Sequence, residues 1–76
     1  MPRLIVGEFI LRIYLLDHAP AHVHVIHGTD EIRVFLSDLR RSNVRGQMSA
    51  SLVRRAVAAV REHRRELLAM WKASHQ

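Results

Sequence analysis

The sequence predicts an α+β domain: a three- to four-stranded antiparallel meander followed by one C-terminal helix packed on one face of the sheet. Up to Leu36, apolar residues alternate with polar ones or form short β-branched runs broken by turn formers. After Met48 they recur at three- and four-residue spacing, the helical period. The length of 76 residues leaves room for one domain (1–76) and one small core.

The first strand is expected over about 8–16, where only Glu8 and Arg12 interrupt an aromatic and aliphatic run. Asp17-His18-Ala19-Pro20-Ala21 ends it, because Asp17 favours a turn and Pro20 has no N–H for a ladder. Residues 22–27 alternate imidazole with aliphatic groups and form the second strand. Gly28-Thr29 turns the chain, and 31–36 is the third. Pairing Leu15 with Val23, Ile13 with Val25, Val25 with Ile32 and Val23 with Val34 gives a consistent register. It puts Phe9, Leu11, Ile13, Leu15, Val23, Val25, Ile32, Val34 and Leu36 on one face, and a one-residue slip would destroy that face. On the other face His24 lies between Tyr14 and Arg33, and His22 between Leu16 and Phe35.

Residues 37–48 form a basic connection, in which Leu39 and Val44 could make a short edge strand and Gly46 a turn. The helix is expected over about 50–72, with Ser49 or Ser51 capping its first turn. Its apolar stripe is Leu52 or Val53, Ala56, Val57, Val60, Leu67 and Trp71. Arg54, Arg55, Arg61, Arg65 and Lys72 share the other side, with Glu62 and Glu66 among them. Leu68, Met70 and Trp71 read as core or interface. One helix covers one sheet face, and the more apolar face should take it. Ile10, Tyr14, Leu16, Ile26 and Phe35 then stay uncovered, predicting an interface in a homodimer or with a partner protein.

The absence of cysteine excludes disulfides, thiolate metal sites and cysteine nucleophiles. Without staples, so small a domain is expected in the cytoplasm. The N-terminal apolar run is too short for a signal peptide, and no run approaches a membrane span. Twelve basic residues against seven acidic ones, a net charge of +5, favour polyanionic partners. Arg40, Arg41 and Arg45 would form either a phosphate-binding loop or a solvated basic one.

The chemistry concentrates in Asp17-His18-Ala19-Pro20-Ala21-His22-Val23-His24. Residues two apart on a strand point the same way, so His22 and His24 project together. His18 can fold toward them, and Asp17 can fix a ring tautomer. Three readings stay open. Neighbouring imidazoles can take and give protons, with Arg33 beside His24 holding a phosphate; that suits a metal-independent ribonuclease using His18, His22, His24, Asp17 and Arg33. No cofactor is expected, although His18, His22 and His24 could instead bind a metal. Or the histidines are structural, in a non-enzymatic protein- or DNA-binding module. Elsewhere, His27 could pair with Asp30, His63 sits at the edge of the helix stripe, and His75 belongs to a frayed tail.

Phe9, Arg12-Ile13-Tyr14, the Asp17-to-Val25 string, and His63-Arg64-Arg65-Glu66-Leu67 with Trp71 resemble the small bacterial domain of unknown function 4160 family. Its hallmark is a strand ending in Tyr, then Asp-His, proline and His-x-His-Val. The likeness spans nearly the whole chain. This sequence departs at Ala21, Val23 and Ser49, where proline, an aromatic residue and proline are common. The resemblance implies a bacterial protein with a β-rich domain and C-terminal helix, in a toxin–antitoxin-like module whose partner is encoded by a neighbouring gene. Contact with RNA rather than DNA is the leading expectation. The His-Val-His-Val run does not make a histidine-triad nucleotide hydrolase, whose third histidine would fall at Ile26.

Overall fold

Strand-period residues 3–45 build a five-stranded sheet in the computed structural model, which describes residues 2–75. The strands are β1 (Arg3–Val6), β2 (Phe9–Arg12), β3 (His22–His27), β4 (Asp30–Phe35) and β5 (Arg41–Arg45). They form an antiparallel meander in sequence order. The helical half forms α1 (Ala50–Glu62) and α2 (Arg64–Ser74). The α+β class therefore holds, while three to four strands become five and one helix becomes two.

The additional strand is β1. Gly7 supplies the positive φ of the two-residue turn joining it to β2, a conformation that costs glycine nothing. Leu4 and Val6 pack half-buried against the core while Arg3 and Ile5 stay exposed. β5 lies inside the expected basic connection and contains Val44.

The second hairpin has the expected register, Val23 opposite Val34 and Val25 opposite Ile32. The first is shifted by two residues: Leu11 faces Val25 and Arg12 faces His24. A shift of two keeps every side chain on its face. It also shortens the strand, since residue 16 would come opposite Pro20, which has no N–H to give. The chain leaves the sheet after Arg12, with the Ile13 N–H donating to the Pro2 carbonyl (3.1 Å). Leu15, expected in the core, is exposed in the resulting connection, as is Leu16.

The remaining eight residues of the expected core face are buried, and Ala56, Ala59, Val60, Leu67 and Trp71 of the helices complete the core. The Ser49 side chain accepts from the Leu52 N–H and caps α1. The stripe Ala56, Val60, Leu67, Trp71 meets His63 midway, and there the helix breaks its regular dihedrals (φ −107°, ψ 19°). The hydrogen bonds Ala59 O to His63 N and His63 O to Leu67 N cross the break, so α1 and α2 are two arms of one bent helix. The His63 ring lies 3.6 Å from the Glu66 carboxylate.

After β5 the chain turns at Gly46 (φ +69°), where a Cβ would collide with the Asp30 carboxylate and lie 3.2 Å from the Asp30 Cα. Asp30 accepts from the Gln47 N–H and cannot move freely. Gly46→Ala is expected to cost about 1–3 kcal/mol through the left-handed φ and this clash. A denaturation midpoint unchanged from the unsubstituted protein would refute this.

Candidate functional site

His22 and His24 sit on β3 two residues apart, and alternation sends both rings to the sheet face opposite the main core, where Trp71 at the end of α2 reaches His22. They converge on one atom. Asp17 Oδ2 lies 2.9 Å from His22 Nε2 and 2.9 Å from His24 Nε2. Asp17 reaches this position because the chain leaves the sheet early and turns back, its N–H donating to the Tyr14 carbonyl (3.2 Å). The Ala19–Pro20 peptide bond in this connection is cis.

The other nitrogen of each ring is anchored. His22 Nδ1 donates to the Pro20 carbonyl (2.8 Å), and His24 Nδ1 lies 2.8 Å from Glu31 Oε2. Both rings are buried, His22 at 4% exposure and His24 at 7%, and Glu31 is 4% exposed. Tyr14 sets its ring edge-on to His24 (4.4 Å between centroids), while Phe35 and Trp71 flank His22 at 5.7 and 5.2 Å. Asp17 remains partly open to solvent. With His18, His22, Pro20, Arg33 and Phe35 it lines a cleft of about 340 Å³.

The Pro20 carbonyl can only accept, so His22 Nδ1 carries a hydrogen; an ionised Glu31 makes the same demand of His24 Nδ1. With neutral rings, two Nε2 lone pairs and a carboxylate oxygen then face one another. That arrangement is repulsive unless protons on both Nε2 atoms, or one cation, lie between them.

The predicted site residues separate. Asp17, His22 and His24 come together. His18 is exposed on the cleft wall and is not in the cluster, so the expected convergence of three histidines is corrected to two histidines and an aspartate. Arg33 is opposite His24 in register, but its Nε donates to Ser42 Oγ (3.2 Å). Glu31 was missed. It follows the alternation that puts Arg33 and Phe35 on this face, and it lies one rung diagonally from His24.

A β-bulge between Glu31 and Ile32 places Arg45, rather than Val44, opposite Glu31, and the two side chains pair at 3.2 Å. Arg40 pairs with Asp38 (3.3 Å), and Arg41 projects from β5 on the helix side. The three arginines therefore do not form one loop site. Of the expected interface residues, Ile10, Tyr14, Ile26 and Phe35 share the sheet face of His22 and His24 and are half-buried; Leu16 is 90% exposed in the β2–β3 connection. His27 contacts Glu8 (3.4 Å) instead of Asp30. His75 is no frayed tail: its ring stacks on Trp71 at 3.7 Å and its Nδ1 bonds the Trp71 carbonyl.

A family model described as Domain of unknown function (DUF4160) matches residues 9–72, a span that contains the whole cluster. The chain belongs to the DUF4160 family. No curated protein and no solved structure matches it. No helix among the described residues is long and apolar enough to cross a membrane.

Proposed function

We propose that this DUF4160 protein binds RNA through its sugar-phosphate backbone, as one component of a bacterial toxin–antitoxin-like pair. One observation carries the nucleic-acid reading. Arg41 of β5 and Arg54 and Arg61 of α1 line a single cleft of about 310 Å³ floored by Val53 and Val57. None of the three has a carboxylate within salt-bridge distance among the described residues. Arg61 continues into a second cleft with Arg64 and Arg65, which Glu62 also lines. Guanidinium forks above an apolar floor suit phosphates flanked by ribose. The groove has no aromatic side chain to stack a base, which favours backbone contact over sequence readout. The partnership with a second protein rests on the family resemblance alone.

The arginines bind the backbone and do not cleave it. A histidine acting as general base must present a ring nitrogen to the substrate. All four ring nitrogens of His22 and His24 already face an acceptor, so acid–base chemistry there needs a contact to open first.

The test is titration of a labelled single-stranded RNA, and DNA of the same sequence, at several salt concentrations. Replacing Arg41, Arg54 and Arg61 with Ala should weaken RNA binding and flatten the salt slope by about 2, from about 0.7 per lost phosphate contact. RNA affinity and salt slope that survive the triple substitution would exclude this groove. Tighter binding to DNA would exclude the RNA preference.

A further inference from the structure

We propose that His22 Nε2, His24 Nε2 and an Asp17 carboxylate oxygen form a binding site for one zinc-class divalent cation, distinct from the arginine groove. The three donor atoms lie within 4.8 Å of one another. Two imidazole nitrogens and one carboxylate are a donor set for borderline metals, and three protein ligands leave a position open. That position faces the cleft, because Asp17 and His22 both line it.

The partners behind the three donors hold them in the form a metal needs. A metal-bound histidine usually donates its second ring N–H to a carboxylate or backbone carbonyl, which fixes the tautomer and aims the lone pair. Here each ring has one such partner: the Pro20 carbonyl on His22 Nδ1 and the Glu31 carboxylate on His24 Nδ1. Both anchors select the tautomer whose Nε2 is free to ligate. Glu31 is in turn held by Arg45. A cation at the convergence point turns three mutually repelling lone pairs into three ligand bonds. Asp17, on a connection rather than a strand, can adjust to ligand distances of about 2.0–2.2 Å while the rings stay fixed.

Zinc-class ions also meet exposed imidazoles, so the test must separate this cluster from His18, His27, His63 and His75. Tag-free protein, stripped with chelator and dialysed, is titrated calorimetrically with zinc chloride. One ion per chain is expected. Asp17→Asn should weaken binding by about 100-fold or more, and Glu31→Gln, which alters only the anchor, by about 10- to 100-fold. His18→Ala should leave affinity unchanged. None of these substitutions touches the arginine groove, so RNA affinity should not follow metal affinity.

X-ray absorption on the zinc-loaded unsubstituted protein gives a readout independent of any variant's folding, and should show two imidazoles with oxygen ligands. The proposal is overturned by the absence of stoichiometric uptake, which would leave the rings as a protonated structural network. It is equally overturned by uptake indifferent to Asp17→Asn, by a His18→Ala loss equal to that of Asp17→Asn, or by a first shell with fewer than two imidazoles.

Discussion

Leu67→Ala is expected to lower stability by about 3 kcal/mol and the melting temperature by on the order of 15 °C. Leu67 is fully buried, on the arm of the bent helix beyond His63. Truncation removes its buried methyl groups and leaves a hole that a five-stranded sheet cannot close by sliding, because a one-residue slip would turn its buried face to solvent. A domain of this size has little reserve, so the loss is a large fraction of its total stability. Leu68→Ala, one residue on and only half-buried, should cost less than half as much. Comparable losses at the two positions in chemical denaturation would show that α2 is not docked through Leu67.

Patterning made most of this fold readable. The alternation of Val23 and Val25 against Ile32 and Val34 selects one register, and that register is found. The first hairpin lacks such a constraint. A shift of two leaves Phe9, Leu11, Ile13 and Leu15 on one face, so alternation cannot choose between the registers, and the difference is decided by Pro20 and by the pairing of β1 outside the β2–β3 hairpin. β1 itself is four residues of edge strand, and its only local marker is the turn glycine. The helix bend was hidden because a 3.6-residue stripe passes through His63 almost uninterrupted.

The site was half legible for a related reason. Alternation alone puts His22 and His24 together, and both lie together. It says nothing of a side chain on an irregular connection. Whether His18 or Asp17 joined the rings depended on where the chain left the sheet, and the two-residue shift decided in favour of Asp17. Glu31 could have been found from parity, but a lone glutamate at a strand end usually reads as solvent-facing. What buries it is the bulge that brings Arg45 across and the ring of His24 beside it, both tertiary facts.

Glu31→Ala is expected to destabilise the metal-free protein by about 2–4 kcal/mol, well beyond what its salt bridge to Arg45 would suggest. Glu31 has two partners of unequal weight. Truncating the largely exposed Arg45 opens Glu31 Oε1 to water while Glu31 Oε2 keeps its contact with His24, so Arg45→Ala should cost about 1 kcal/mol, less than Glu31→Ala. His24 Nδ1 is buried, and without Glu31 its N–H has no acceptor and little water, so the desolvation penalty falls in full. Glu31→Gln keeps an oxygen of the right reach and should recover most of the loss. The order Glu31→Ala, then Glu31→Gln, then Arg45→Ala, from most to least destabilising, follows from whether water can reach the group left without a partner. Equal costs for Glu31→Ala and Arg45→Ala in urea denaturation with chelator present would mean that the exposed pair, not the buried imidazole contact, holds this corner of the sheet. The double substitution of His24 and Glu31 by Leu supplies the converse. If the penalty comes from a stranded donor, removing both partners should cost less than Glu31→Ala by itself.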